Sequence, residues 1–279
     1  MINKIIRKVF TDYLYFVIKS LLSPFKVTSW GSKYSLFNLF LIKLMSNSSN
    51  YFVENGGIKF RSVYRVCSIR GKRAWNKEPE TVKWIEDYIC DRDVFFDIGA
   101  NIGVYSLIAN HLKKDLKIFS FEPEAQSYSE LNNNIRLNKA EVQIQAFNVA
   151  LSDKNSIGIL NLSSDQPGKS DHQYTNDSRS EITHQQGCLS LTVDTMINDY
   201  KLPYPNHIKI DVDGLEFEIL NGAKSILTST QLKSIAVEVD EESLTDVELF
   251  LKEFNFKRLL DREFVNQEYN LSNSFFIRR

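Results

Sequence analysis

Apolar residues along this chain fall into short runs that end in acids and longer stretches with helical spacing. Val94-Phe95-Phe96 leads to Asp97, and Leu116–Phe121 leads to Glu122. Ile208–Val212 carries Lys209 and Asp211, and Ser234–Asp240 holds Glu238 near its end. Such runs suit buried strands, whereas the segments between them repeat at the helical period. Residues 104–112 align Leu107, Ile108 and Leu112. A helix opens at Glu78-Pro79, where proline fits the first turn, and carries Val82, Trp84, Ile85, Tyr88 and Ile89 inward. Pro123 opens a further helix through Leu137, with Asn132–Asn134 expected on its solvent side, and Leu244–Phe254 is amphipathic.

Weaker signals complete the pattern. Val142–Leu151 reads as a third strand ending near Asn148, while Ile58–Phe60, Ser62–Ile69 and Ile157–Leu162 read as shorter ones. Phe256–Leu260 and Ser274–Ile277 look like a closing pair. Residues 163–187 are almost wholly polar, contain His172 and His184, and are expected to form a loop long enough to be functional or disordered. Strands alternating with helices predict an α/β domain over residues 51–279, built on a largely parallel, doubly wound sheet of about seven strands.

The first 50 residues differ in character. Ile2, Ile5, Ile6, Val9, Tyr13, Phe16, Val17 and Leu21 form one helical face, opposite Lys4, Lys8, Asp12, Tyr15 and Lys19, and Pro24 ends the run. Residues 1–46 hold seven basic side chains and one acid, a net charge of +6, which leaves −7 for the remainder of a chain whose total is −1. Residues 1–26 thus form a basic amphipathic helix that either lies on an anionic membrane surface or packs on the main domain or a partner subunit. Asp12 and Lys19 interrupt any membrane span, and no cleavable leader is evident. Leu36–Met45 reads as a second packed helix and Ser46–Asn50 as a linker.

Composition narrows the class without naming it. At 279 residues, with 43% hydrophobic and 25% charged side chains, the chain is that of a soluble globular protein. Its near-zero net charge gives no global attraction to nucleic acid. Cys67, Cys90 and Cys188 are scattered, which argues against a disulfide framework or a zinc site and fits a reducing, cytoplasmic setting.

The chemistry concentrates in two blocks. VFFDIGANIG, residues 94–103, is a strand, an acid and a glycine-bearing turn of Gly99, Ala100, Asn101, Ile102 and Gly103 ahead of a helix. That order is expected to place free backbone N–H groups at the carboxyl edge of a sheet, where open α/β folds take ligands. A dinucleotide turn needs a glycine where this chain has Asn101, and a carboxylate at Asp97 would repel a pyrophosphate. The same carboxylate suits an ammonium or sulfonium group. S-adenosylmethionine carries both and no phosphate, so it is favoured over NAD. Glu122, closing the next strand ahead of Pro123, is placed to take ribose hydroxyls. The second block, HIKIDVDGLEFEILNGA at residues 207–223, brings Lys209, Asp211 and Asp213 to the same edge.

DIGANIG, FEPEAQSYSELNNNIRLN, NVALSD and IKIDVDGLEFEILNGA, in that order, resemble the FkbM-type family of S-adenosylmethionine-dependent methyltransferases over roughly residues 78–278. The resemblance implies a Rossmann-like class I methyltransferase fold and transfer of a methyl group to a hydroxyl of a sugar, glycan or other small molecule. It implies that Asp97, Gly99, Ala100, Asn101 and Gly103 frame the methionine end of the donor, Glu122 and Pro123 the ribose, and Asn148, Val149 and Ala150 the adenine. The family usually shows a glutamate at the position of Asp213 and an alanine at that of Leu215. An alcohol must lose its proton on methylation, so Asp211 and Asp213 are the candidate bases, and Lys209 either orients the acceptor or pairs with Asp211. Glu216 reads as a first-turn helix acid. A divalent ion on Asp211, Asp213 and Glu238 is the lesser reading, and no metal is assigned. A catalytically inactive binding or scaffolding module is the alternative to an enzyme.

Overall fold

The computed structural model describes residues 51–162, 166–169, 173–175, 184–259, 264–266 and 271–279. The basic N-terminal helix, the second helix after it and His172 lie outside the described residues.

The described chain begins with an antiparallel hairpin, β1 (Phe52–Asn55) and β2 (Ile58–Arg61), followed by α1 (Arg65–Lys72) and α2 (Pro79–Tyr88). Two strand–helix units follow, β3 (Val94–Ile98) with α3 (Val104–Leu112) and β4 (Lys117–Phe121) with α4 (Ala125–Leu137), and then β5 (Ile144–Phe147). A side sheet comes next, made of β6 (Ala150–Leu151), β7 (Ser156–Leu162), β8 (Gln173–Thr175) and β9 (His184–Leu191). The chain then returns through α5 (Val193–Asn198), β10 (His207–Ile210), α6 (Glu216–Asn221) and α7 (Lys224–Thr228). It closes with β11 (Ser234–Asp240), α8 (Glu241–Glu253), β12 (Phe256–Arg258), β13 (Phe264–Asn266) and β14 (Leu271–Arg278).

The central sheet runs β12-β14-β11-β10-β3-β4-β5, with β13 paired to β14 beside that path. Strands β5, β4, β3, β10 and β11 are parallel, and β14 inserts antiparallel between β11 and β12. Both faces are covered, as a parallel sheet requires. Phe95, Ile118, Ala236 and Phe275 pack under α2, α3 and α4, while Phe96, Ile98, Ile208, Ile210 and Val237 pack under α5 to α8. The doubly wound, largely parallel α/β architecture read from the sequence is the one observed.

Local expectations fail in four places. Ser62–Ile69 is not a strand, because residues from Arg65 onward form α1. Of the alternating set Val63, Cys67 and Ile69, only Cys67 is buried, and it points inward with Gly71 one helical turn later. A side chain at Gly71 would meet the Cβ of Phe60 at 2.6 Å, so this helix fits only through a glycine. Val142–Leu151 is not one strand: it breaks at Asn148-Val149, and β6 leaves the central sheet to pair with β9. The polar stretch 163–187 is not all loop, since 173–175 and 184–187 belong to strands. Asn134 does not face solvent. It is buried, accepts the Arg61 amide at 2.7 Å and donates to the Ile102 carbonyl at 2.9 Å. Asn138 does the same for both backbone groups of Lys59, so two amide side chains of α4 cover the open edge of β2.

At the amino-terminal edge of the sheet β10 buries His207. Its Nε2 meets Asp93 at 2.9 Å and its Nδ1 meets Ser234 at 2.7 Å, while Trp84 Nε1 donates to the same Ser234 oxygen. Asp93 also receives Lys233 at 2.7 Å and the Cys90 amide at 2.9 Å. Burial pushes the imidazole down to about 4 against the pull of Asp93. The folded state therefore holds His207 neutral, while an unfolded chain takes up a proton below its ordinary value of about 6.5. The stability this group contributes is present above that value and is lost as pH falls toward 4. Asp93, held below the ordinary carboxylate range, acts in the same direction at lower pH. Between pH 7 and pH 4.5 the stability of the native protein relative to His207→Gln, read by denaturant titration of both, should fall by about 2 to 3 kcal/mol, which separates His207 from the buried carboxyl groups that titrate over the same range. A difference between the two proteins that does not change with pH would contradict this account.

Candidate active site

The turn after β3 is folded by its own hydrogen bonds. Gly99, Asn101 and Gly103 all have positive φ, at 78°, 50° and 85°. Gly99 is obligatory, because a Cβ there would lie 1.8 Å from the Asp211 carbonyl oxygen. The amides of Gly99 and Ala100 both donate to the Phe121 carbonyl at 3.0 Å. Asn101 N–H donates to Glu122 Oε2 at 2.7 Å, Ile102 N–H to Asn101 Oδ1 at 2.9 Å, and Gly103 N–H to the Ala100 carbonyl at 2.8 Å. Every amide of the turn is thus engaged, which corrects the expectation of free N–H groups. A pyrophosphate would find no donor cradle here. The NAD reading loses its physical basis, whereas a phosphate-free ligand is unaffected.

Strand register then sets the charges. Asp97 of β3 stands directly beside Lys209 of β10, and the next residues of β10 and β11 bring Asp211 opposite Glu238. Glu238 in turn pairs with Asn273 of β14. All five lie on the face covered by α2 and α3, because side chains two apart on a strand share a face. Lys209 is 1% exposed. Its ammonium binds Asp211 Oδ2 at 2.5 Å and lies 4.6 Å from the centre of the Tyr105 ring, the first turn of α3. Burial works against that charge, but Asp211, Glu78 and Asp97 outweigh it and hold the lysine protonated. Asp211 is only partly buried, and Lys209 holds its carboxyl well below the usual range.

Asp97 is 1% exposed and binds Ser106 through Oδ2, with Ser106 linked to Ser120 at 2.7 Å. Its Oδ1 has no hydrogen-bond partner among the described residues. Burial raises its pKa despite the nearby Lys209. A buried carboxylate oxygen left unpaired beside the turn is a position for a cationic ligand group. Glu122, buried one strand away, accepts the amides of Asn101 and Glu124, and burial pushes it up to about 8.

Several predicted residues fall into place around this frame. Asn148 donates to the carbonyls of Glu122 and Pro123, both at 2.9 Å, and so fixes that backbone, while Val149 and Ala150 behind it are buried. Asp213 is exposed at the following turn, where its charge raises the neighbouring Glu216, itself pushed up by burial to about 7. His184 sits exposed at the start of β9. Among the described residues no three His, Cys, Asp or Glu side chains are arranged to hold a metal ion.

Sequence reasoning passed over other contributors. Tyr105 and Ser106 follow the turn directly, and Glu78 caps the start of α2 while receiving Lys77 at 2.5 Å. The short segment Gln166–Lys169 is fastened over the turn: Asn101 donates to the Lys169 carbonyl at 2.9 Å, Gly168 N–H to Ser127, and Arg70 to the Gly168 carbonyl. Gln186 of β9 holds the Pro123 carbonyl and the Ala125 amide. The position of Tyr105 and Ser106 in the first turn of α3 was the available signal for those two. The rest depends on pairings far apart in the chain.

Comparisons with known proteins bear on the family and the fold. Residues 97–258 match the methyltransferase FkbM domain. The hexuronic acid methyltransferase AglP of Haloferax volcanii is 24% identical over 186 residues, covering 66% of this chain and 70% of that protein. Methyltransferase sdnD of Sordaria araneosa is 26% identical over 193 residues, covering 60% of this chain and 74% of that protein. Among solved structures, methyltransferase FkbM of Methylobacillus flagellatus shares the fold with a TM-score of 0.50 at 14% identity, over 91% of this chain and 62% of that one.

Replacing Lys209 tests the electrostatic frame. Lys209→Met removes the cation from between Asp97 and Asp211 and should lower stability by about 3 to 5 kcal/mol at pH 7, read by denaturant titration. Its deficit should shrink in the double variant with Asp211→Asn. Equal losses in the single and double variants would mean that the pair is not coupled.

Proposed function

The chain belongs to the FkbM methyltransferase family, an S-adenosylmethionine-dependent group, and from that membership we propose that it methylates a hydroxyl group of a sugar, glycan or related small molecule. The observation that carries the donor end is Asp97, whose unpartnered oxygen lies buried at a turn without free phosphate-binding amides. The residues fit the donor. Asp97 would hold its cationic methionine end, the Gly99–Gly103 turn would shape that wall, and Glu122 would take the ribose, with Pro123, Asn148, Val149 and Ala150 toward the base. The likeness to a hexuronic acid methyltransferase supports a sugar as acceptor.

The donor supplies a methyl group already activated on a sulfonium, which passes to the acceptor oxygen as the sulfur departs as a neutral thioether. What remains for the protein is alignment and one proton. Asp211, held anionic by Lys209 and with its side chain 25% exposed, is the group available to take that proton at the strand end. Its lowered pKa is no obstacle, because a hydroxyl oxygen that has taken the methyl group and still carries its proton is an oxonium ion, a far stronger acid than a carboxylic acid. Lys209 fixes the Asp211 carboxylate, and Asp213 stands further out toward solvent as the second candidate.

Calorimetric titration with S-adenosylhomocysteine, beside NAD, tests the donor site. Saturable binding of the former alone is expected, weakened roughly 10- to 100-fold in Asp97→Asn through loss of a charge-assisted bond, and weakened also in Glu122→Ala. Radiolabelled methyl transfer to a panel of hexuronic acids and neutral hexoses then reads the acceptor class. A folded protein that binds no S-adenosylhomocysteine would overturn the assignment.

A further inference from the structure

Asp211 does not meet the acceptor alone. The parallel register of β10 and β11 continues from Ile210–Val237 to Asp211 and Glu238, so the two carboxyl groups lie side by side on one face at the carboxyl edge. Lys209 occupies Oδ2 of Asp211 from below. We propose that Glu238 is a positioning residue of the methyltransferase site: its carboxyl group keeps a proton, donates it in a hydrogen bond to Asp211, and leaves the outward lone pairs of Asp211 for the acceptor hydroxyl. This inference rests on the methyltransferase reading and deepens it.

The surroundings of Glu238 support the protonated form. Asp211 faces it across β10, Glu78 faces it from the start of α2, and Asn273 flanks it on β14. The charge of Lys209 acts on it in the opposite direction, but that lysine is already bound to Asp211. Lys77, whose charge reaches Asp211, is bound to Glu78, and Glu216 adds a further acid on the Asp211 side. The charge of Asp211, then burial, pushes Glu238 up to about 9. Two carboxylates in contact cannot both ionise at neutral pH, and here the lysine decides which one does. Asp211 keeps the charge and Glu238 keeps the proton.

The geometric consequence is a carboxylate held from two sides. A lysine ammonium and a carboxylic acid O–H each donate to Asp211, which removes its rotational freedom before an acceptor arrives. In the reaction the acceptor proton passes to Asp211 and from there to solvent, while the Glu238 proton stays in place. Above pH 9 Glu238 would ionise and repel Asp211. Glu216 and Glu122 are also raised, to about 7 and 8, and Asp97 is raised by burial, so the difference between wild type and Glu238→Gln is what isolates the Glu238 titration.

Infrared spectroscopy of the protein saturated with S-adenosylhomocysteine reads this proton directly. The difference between wild type and Glu238→Gln should contain the carbonyl stretch of an un-ionised carboxyl group at pH 7, disappearing with a midpoint near 9. In Asp211→Asn, compared with its own Glu238→Gln double variant, the midpoint should fall by more than about one pH unit, tenfold in proton affinity. Turnover on the sugar panel should fall above pH 9 in wild type but not in Glu238→Gln, whose amide still donates. Absence of the band at pH 7, or a midpoint unmoved by Asp211→Asn, would overturn the inference. Intact S-adenosylhomocysteine binding with no such band would sink this proposal alone, whereas failed binding would sink the donor assignment.

Discussion

A lysine buried beneath the end of the central strand constrains most of what surrounds it. An ammonium taken from water costs several kcal/mol unless it is paired and oriented. Lys209 meets that requirement with Asp211 two residues on, Asp97 on the adjacent strand and the face of Tyr105. Asp97 and Tyr105 reach it only if β3 and β10 pair in the observed register. A slip of one residue would turn Asp97 to the other face and leave the lysine against apolar side chains. The charge arrangement that suits methyl transfer is therefore also a condition on strand pairing, so chemistry and fold are specified together.

The same strand shows how position along the sheet changes a basic residue's role. His207 and Lys209 point to one face of β10, two residues apart, and both are buried. At the amino-terminal edge His207 is enclosed by Trp84, Ser234 and Asp93, which are satisfied by a neutral imidazole. At the carboxyl edge Lys209 faces several acids and stays charged. Ser234, His207 and Asp93 have the order of a hydrolytic triad, yet Ser234 is 1% exposed and its oxygen already receives Trp84. Burial makes that network structural. Parallel sheets bind at the other edge because strand ends there open into turns rather than into packed side chains.

Local motifs carried much of the site, and long-range pairings carried what they missed. Asp97, Gly99, Gly103 and Glu122 were recognisable because a strand, a turn and a helix follow within a few residues, where periodicity and glycine chemistry are informative. The doubly wound sheet was legible for the same reason. Tertiary packing decided the rest. Ser62–Ile69 alternates like a strand, but Cys67 and Gly71 make a better inward face as a helix against Phe60. Asn134 looks like a solvent residue until Arg61 and Ile102 are brought to it from 73 and 32 residues away. The turn amides could be counted from the sequence, but their acceptors, Phe121 and Glu122, could be assigned only once β3 and β4 were aligned.

That closed turn bears on how such a site can release what it makes. A loop that cradles phosphate holds substrate and product nucleotides through the same amides. Here the turn amides bond inward, and among the described residues a carboxylate oxygen of Asp97 beside the turn is left without a hydrogen-bond partner. In the proposed reaction the ligand enters with a sulfonium charge and leaves as a neutral thioether. An acidic, poorly solvated wall favours the charged form more than the neutral one, since electrostatic attraction grows as the local dielectric falls. The methyl transfer itself removes part of what holds the donor. In the proposed reaction, selectivity for the donor and release of its product would then both depend on the same buried oxygen.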